Sequence, residues 1–370
     1  MQTDFGALTD AQKRLWAAET WTQGRDESFW FSAGFIGKND TDMSKPIQRI
    51  TKLTETERGT ECVMQLVLDM QGDGVVGNNV LEGSEEALVN DAQVIRIDHL
   101  RNGVKSKGKM AEQATVIRFR ATAKNKLAFW IADKIDELGF LTIAGRSYTL
   151  NTNGTTRGAS QLPQLSFGAD VSAASSNRIM YAGSATSEGT LTASDKVDWN
   201  LVVSLKAFAE RKKLKPIREG GKNYYALVLS TEGLRDLQKD TTYQTIVRSA
   251  AERGSKNPLF QNAVAVVQGV VIHSHNKVFN TLGLSSSNRW GSGGTIHGAQ
   301  HALLGSQALG LATIGNTDMA ESSSTDYGDK PGIATGRMIG LLKPQFKSTP
   351  DGGSREDFGV ISLKTAAAAA

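Results

Sequence analysis

A long helical pattern dominates the first half of the chain and limits the folds it can adopt. Apolar residues recur at intervals of three, four or seven from Met110 to Leu138, with Gly108 before them and Gly139 after them. This spacing predicts a helix over 109–138 that ends near Gly139. Thirty residues at ~1.5 Å each give about 45 Å, which is longer than most globular domains need. We therefore expect an elongated subunit in which this helix spans the body.

Two strand-like segments precede the helix. The segment 59–70 is rich in β-branched and apolar residues, and the segment 93–100 alternates apolar and polar residues. Both patterns are typical of β-strands, and the residues between them are mostly Gly, Asn and Glu. The sequence predicts a hairpin reaching roughly 30–35 Å, with 71–92 as its tip. Since an isolated hairpin is marginally stable in water, we expect this one to rest on a partner.

Aromatic residues are concentrated near the beginning of the chain. Trp16, Trp21 and Trp30 lie there with three phenylalanines, in no apolar register long enough to form a core. We interpret this segment as an arm that lies on something else.

Beyond residue 190, short helical patterns alternate with short strands, which indicates an α/β body. Glycine accounts for 38 of the 370 residues, so many turns and extended loops are expected. The predicted elements are a helix capped near Ser194, strands at 224–229 and 264–273, helices at 231–239 and 243–253, and closing strands at 338–343 and 358–363.

Charge is distributed unevenly along the chain. The net charge is only +4, but the window 101–126 contains one acid, Glu112, and eight bases. The bases are Arg101, Lys105, Lys107, Lys109, Arg118, Arg120, Lys124 and Lys126. Lysine and arginine neutralise phosphates without reading sequence, so proximity to nucleic acid is one interpretation. A solvated helix face with ion pairs between subunits is the other.

Patterns that would indicate catalysis are incomplete. The segment 72–77 matches GxGxxG, but no helix follows it to bind a pyrophosphate, so we interpret it as a loop tip. The segment 103–109 resembles a phosphate-binding loop but continues with Met110 where Ser or Thr is required. The pairs His297/His301 and His273/His275 lack a third metal ligand.

The single cysteine, Cys62, lies in an apolar run and is expected to be buried. We therefore predict no catalytic residue, no metal and no cofactor. The longest apolar stretches are only four to six residues, so no membrane partner is expected. Glu82, Glu85 and Glu86 form an acidic cluster on the hairpin tip, where contact with a neighbour's Lys or Arg is the expected role.

Four predicted features together indicate a subunit that makes extensive contacts with its neighbours. They are an aromatic arm, a long hairpin, a long helix that spans the body, and an α/β body. At this point the chain resembles the major capsid proteins of tailed bacteriophages, which have the Johnson fold. The resemblance covers most of 45–365. It is carried by Leu81-Glu82-Gly83-Ser84-Glu85-Glu86, Gly108-Lys109-Met110, Asn257-Pro258-Leu259-Phe260, Gly298-Ala299-Gln300, Asp326-Tyr327-Gly328 and Asp357-Phe358-Gly359-Val360.

The resemblance implies an α+β Johnson fold divided into five parts. These are an N-terminal arm (1–45), an extended β-hairpin loop (46–108), a peripheral domain with the spine helix and following strand (109–154), an axial domain (155–300), and a return to the peripheral domain with the C-terminal strands (301–370).

The resemblance also implies hexamers and pentamers that form an icosahedral shell around double-stranded DNA. Assembly in the host cytoplasm and residence in the virion follow from it. About forty residues precede the hairpin loop, so a separate scaffolding protein is expected, with a portal and a decoration protein as further partners. A nucleic-acid-binding protein that uses the 101–126 window is the alternative function.

The expected contacts fall into two sets. Those between subunits are Gly72, Asp73, Gly74, Gly77, Glu82, Glu85 and Glu86 on the hairpin, and Trp16, Trp21 and Trp30 on the arm. The basic stripe expected to face packaged DNA consists of Lys105, Lys107, Lys109, Arg118, Arg120, Lys124 and Lys126.

Overall fold

The computed structural model of the chain has a mixed α+β architecture. It describes residues 10–38, 42–51, 59–67, 74–82, 85, 90–108, 110, 119–249, 265–322, 329–348 and 354–367. Its first half contains helices α1 (Asp10–Glu27), α2 (Phe29–Ser32) and α3 (Phe119–Ala144), and strands β1 (Ile47–Ile50), β2 (Glu61–Val67), β3 (Asn90–Arg96) and β4 (Asp98–Lys105).

The second half adds three helices and eleven strands in the described ranges. The helices are α4 (Trp199–Arg211), α5 (Thr231–Lys239) and α6 (Thr241–Ser249). The strands are β5 (Ile179–Tyr181), β6 (Ile217–Glu219), β7 (Lys222–Leu229), β8 (Ala265–Val267), β9 (Val270–Ser274), β10 (Gly298–Leu304), β11 (Leu309–Ser322), β12 (Gly332–Leu342), β13 (Gln345–Ser348), β14 (Ser354–Asp357) and β15 (Val360–Ala366).

The strands form two larger sheets and two ribbons. One sheet has the order β1-β11-β12-β4, with β1 parallel to β11 and the other pairs antiparallel. The other has the order β5-β15-β10-β7-β9-β8, with β6 also on β7. Strand β15 pairs with β10 on one side and with β5 on the other, where Ser362 faces Ile179. The ribbons are β2-β3 and β13-β14.

Helix α3 joins the N-terminal segment to the four-stranded sheet. It packs on β12 and on α1, which also contacts β11. At the crossing of the two helices, a Cβ added to Gly24 would lie 3.2 Å from the carbonyl oxygen of Ala128. Small residues at a helix crossing allow such a close approach of the two backbones.

The expected end of the long helix near Gly139 is wrong, because the helix continues to Ala144. A Cβ at position 139 would lie 2.7 Å from Nε1 of Trp30. The glycine is therefore a packing requirement inside the helix rather than a stop signal. The predicted beginning near residue 109 lies mostly outside the described residues.

Three other boundaries differ from expectation. The predicted strand 264–273 is broken by a turn at Gln268 and Gly269, both with positive φ, so that β8 and β9 pair antiparallel. The predicted strand 93–100 is divided at Ile97 into β3 and β4, which pair with different partners. Asp198, rather than Ser194, caps α4 by accepting from the backbone N–H of Leu201 at 2.7 Å.

Candidate functional site

The base of the hairpin has one buried and one exposed face. Cys62, Met64 and Leu66 on β2 and Ile95 on β3 are at most 2% exposed. They pack with residues of β1, β11 and β12. The hairpin base therefore rests on its own subunit, because the apolar side of both strands covers the subunit body, and a contact of the hairpin with another copy stays a prediction. It also confirms that Cys62 is buried.

The opposite face of the hairpin base carries an exposed apolar pair. Val63 and Val94 lie directly opposite each other on β2 and β3 and are 54% and 46% exposed. The pair Glu61 and Arg96 lies beside them. Sequence reasoning missed this face, although the alternation of exposed and buried residues along 61–66 was a usable signal.

The described part of the hairpin tip, 74–82, is exposed along almost its whole length. Val76, Val80 and Leu81 are 79%, 73% and 57% exposed. Gly74 and Gly77 have φ of 71° and 69°, and a Cβ added to either would meet nothing within 4 Å. Apolar side chains left in water on a glycine-bent segment are typical of a surface that another molecule covers.

The remaining predicted tip residues fall in two groups. Glu82 and Glu85 are exposed, as expected for acids available to a neighbour. Gly72, Asp73 and Glu86 lie outside the described residues.

The aromatic arm packs on its own chain to a greater extent than expected. It forms the eighteen-residue helix α1, followed by the short helix α2. Trp30 is 2% exposed and lies 4.4 Å from the ring of Phe140, centroid to centroid. The expectation that Trp30 contacts a neighbouring copy is therefore wrong, because α3 and the arm bury it in the subunit core.

Trp16 and Trp21 are both half-buried. The guanidinium of Arg337 lies 3.7 Å from the centre of the Trp21 ring, and the Lys124 ammonium lies 5.5 Å from the centre of the Trp16 ring. Each indole thus has a cation of its own chain on one face. A contact of their exposed parts with another copy stays a prediction.

A buried carboxylate anchors the arm to α3. Asp136 accepts hydrogen bonds from Oγ of Ser28 at 2.6 Å and from the backbone N–H of Phe29 at 2.9 Å. Burial raises the pKa of Asp136 to about 6 against the opposing effect of these two donors. The connection between α1 and α2 is therefore fixed to the middle of the long helix.

The basic stripe is only partly available to a ligand. Lys105 on β4 and Lys107 just after it are exposed. Lys126 is also exposed, with its ammonium 6.0 Å from the centre of the Phe129 ring. Lys124 instead forms an ion pair with Glu19 on α1. Lys109, Arg118 and the side chain of Arg120 lie outside the described residues.

The structure gives His301 and His275 structural roles. His301 is fully buried, its Nδ1 accepts from the backbone N–H of Ser230 at 3.1 Å, and its Nε2 lies 2.9 Å from Oγ1 of Thr365. Burial lowers its pKa to about 3, so this imidazole is neutral. His275 stacks on Phe140 at 4.9 Å. Within the described ranges, no three His, Cys, Asp or Glu side chains converge as metal ligands.

The other candidate sites lack catalytic geometry. Gly103 lies inside β4, opposite Ala334, so the segment that resembled a phosphate-binding loop begins as a paired strand.

A cavity of about 330 Å³ lies between the hairpin base and the body, lined in part by Gln93, Asp170 and Lys343. Lys343 is directed to Asp357, at 3.0 Å between Nζ and Oδ2, with both side chains at most 1% exposed. No described helix is long and apolar enough to cross a bilayer.

Known proteins similar to this chain are viral. A family model described as "Phage capsid protein" matches residues 3–369. The major capsid protein of Pseudomonas phage KPP25 is 40% identical over 375 residues, which cover 99% of this chain and 98% of the relative.

Solved structures show the same fold. The capsid of Ralstonia phage GP4 has a TM-score of 0.78 at 23% identity, covering 100% of this chain and 96% of that one. The capsid asymmetric unit of Cyanophage Pam1 has a TM-score of 0.68 at 19% identity, covering 100% of both chains. These likenesses confirm the expected α+β fold of tailed-phage major capsid proteins. The family match and the KPP25 relative show that the chain belongs to the phage capsid protein family, a structural rather than an enzymatic family.

Proposed function

We propose that the chain assembles with copies of itself into the hexamers and pentamers of an icosahedral shell around double-stranded DNA. The observation that carries this proposal is the exposed hairpin tip. Three of its large apolar side chains, Val76, Val80 and Leu81, are each more than half exposed in the subunit. Each contributes ~1.5–3 kcal/mol if a neighbour buries it fully.

The contact required is heterologous, since the tip of one copy meets a different surface on the next. Head-to-tail contacts of this kind produce rings when the rotation closes. The glycines at 74 and 77 allow the tip to follow small changes of curvature between rings of five and rings of six. The acids at 82 and 85 supply charges that pair with bases of the adjacent copy.

The five-part division expected from the resemblance is retained as part of this proposal. The β2-β3 ribbon is the core of the extended loop 46–108, α3 is the spine helix of the peripheral domain, and most of the seven-stranded sheet lies within 155–300. The shell places the protein in the virion after assembly in the host cytoplasm. A scaffolding protein, a portal and a decoration protein are its proposed partners.

Electron microscopy of the purified full chain, with and without co-expressed neighbouring genes, tests the assembly. The wild type is expected to form shells, tubes or rings. The triple variant Val76→Ser, Val80→Ser, Leu81→Ser should remain folded by circular dichroism but fail to close. A matched control, Val76→Ile, Val80→Ile, Leu81→Met, keeps the tip apolar and should assemble. Compact monomers or dimers of the wild type under all conditions would refute the proposal.

Nucleic-acid binding by the isolated subunit is the second candidate. The exposed Lys105 and Lys107, at the end of β4 on the edge of the four-stranded sheet, favour it. Each phosphate neutralised contributes about 0.9 to the slope of log K against log salt on duplex DNA. The double variant Lys105→Gln, Lys107→Gln should therefore reduce that slope by about two. An unchanged slope excludes this pair as a DNA contact.

A further inference from the structure

Two arginines from distant parts of the sequence, Arg25 and Arg49, lie close enough to a third, Arg337, to act on its charge. Arg25 lies in the last turn of α1, Arg49 on β1 and Arg337 on β12. Arg337 is 6% exposed and is covered by the ring of Trp21. Arg25 and Arg49 are half-buried, so the cluster extends from the interior to the surface.

The hydrogen bonds found for this cluster leave donors unused. Nη1 of Arg337 donates to Oγ1 of Thr317 at 2.8 Å, and Nε of Arg49 donates to Oγ1 of Thr313 at 3.4 Å. Both acceptors are neutral hydroxyls. The Nε atoms of Arg25 and Arg337 are buried and have no hydrogen-bond partner among the described residues. A buried charged donor without an acceptor is costly, so such groups usually have a ligand or a counter-ion.

The positive charge of the cluster is also poorly compensated. Burial and the nearby charges of Arg49 and Arg25 lower the pKa of Arg337 to about 10, while Asp318 acts in the opposite direction. The Asp318 side chain is 65% exposed and lies 3.7 Å from Nε2 of His99. Water therefore screens this carboxylate, which among the described residues opposes the charge of Arg337.

We infer that Arg25, Arg49 and Arg337 form a binding site for an oxyanion of the phosphate class. The planar guanidinium fork donates two parallel hydrogen bonds to such an anion, and the unused Nε donors of Arg25 and Arg337 are suited to that role. The backbone supports the site, since the pairing of β11 with β12 is irregular between Ile314 and Asp318. Irregularities of this kind redirect side chains and recur beside functional sites.

The bound anion links three elements of the subunit. It joins the end of α1 to β1 at one edge of the sheet and to β12 inside it. Binding therefore stabilises the docked arm in a single subunit, independently of whether subunits assemble. The site is separate from the basic stripe, whose exposed lysines 105 and 107 lie on and after β4.

Calorimetric titration of the unassembled full chain with inorganic phosphate, at constant ionic strength set by chloride, tests the inference. The wild type should bind one phosphate saturably and unfold at a higher temperature in its presence. Arg25→Gln and Arg49→Gln should each weaken binding at least tenfold. Arg14→Gln, an exposed arginine on the same helix, should change it less than twofold.

Two further arms complete the test. Arg337→Lys retains the positive charge but removes the planar guanidinium group, and it should also weaken phosphate binding. If this variant fails to fold, the phosphate affinities of Arg25→Gln and Arg49→Gln decide the test. A short DNA duplex that displaces phosphate identifies the source as a nucleic-acid backbone, whereas phosphate binding without displacement identifies a free anion. Absence of saturable binding, or equal affinities in Arg14→Gln, Arg25→Gln and Arg49→Gln, overturns the inference.

Discussion

Replacing Gly139 by alanine separates helix propensity from tertiary packing in α3. Propensity alone predicts that alanine stabilises this position by about 0.5–1 kcal/mol, because glycine is a poor helix former. The structure predicts the opposite, since the new Cβ would lie 2.7 Å from Nε1 and 3.3 Å from Cε2 of Trp30. Trp30 is 2% exposed and in contact with Phe29, Phe35 and Phe140, so it has little room to move.

Overpacking of this kind costs about 1–3 kcal/mol, which leaves a net loss of roughly 0–2.5 kcal/mol for Gly139→Ala. The assay is urea unfolding of unassembled subunits followed by circular dichroism. A double-mutant cycle with Trp30→Phe makes this assay more specific, because the smaller ring makes room for the Cβ at position 139. The interaction free energy between the two substitutions should be favourable by about 1 kcal/mol or more. Gly158→Ala, where no atom lies within 4 Å of the added Cβ, is the control. A gain in stability for Gly139→Ala with no coupling to position 30 would refute the packing argument.

Three further predictions concern buried ionisable groups. Because burial raises the pKa of Asp136 to about 6, its contribution to folding is complete below pH ~4 and lost as the pH rises through 6. The unfolding free energy of Asp136→Asn relative to wild type should therefore shift by about 3 kcal/mol between pH 4 and 7, whereas a constant difference contradicts the raised pKa. The lowered pKa of His301 gives the opposite pH dependence of folding stability. The stability that the neutral imidazole contributes is present above pH 6.5 and is lost as the pH falls toward 3. His301→Phe should remove roughly 5 kcal/mol of that acid dependence, measured by urea unfolding across this range, and an unchanged pH profile would count against it. Lys343→Met leaves Asp357 buried without its counter-ion and should cost about 3–5 kcal/mol in the same assay. The double variant with Asp357→Leu should recover only part of the loss, because the backbone N–H of Ser175 and Nε2 of Gln345 then lose their acceptor.

Local patterns predicted the elements whose signals are complete within a few residues. Helix α5 occupies the expected 231–239, because Ser230 caps it by accepting from the backbone N–H of Gly233 at 3.1 Å. Strand β7 was also predicted, because its apolar run is a signal that is complete within a few residues. Strands β10 and β11 were missed, since their small and polar residues have strong β character only once neighbouring strands bury them.

Contacts between distant residues were beyond the reach of sequence patterns. The helix continues through Gly139 because Trp30, more than a hundred residues earlier, packs there. The polar and glycine-rich composition of 71–92 predicted the hairpin tip, but support for the hairpin base depends on β11 and β12. The arginine cluster has no local signal at all, because β1 and β12 bring its members together from opposite ends of the sequence.

The pairing of β15 with β5 has a consequence for synthesis. Ile179 pairs with Ser362 in the sheet, so one edge of β5 has no partner until the ribosome has made a strand about 180 residues later. At ~5–20 residues per second, this delay is roughly 10–40 s. During that time β5, and later β10 once it has been made, present open edges to nearby nascent chains. A copy that exchanged this strand with a neighbour on the same polysome would be joined to it before either had finished folding.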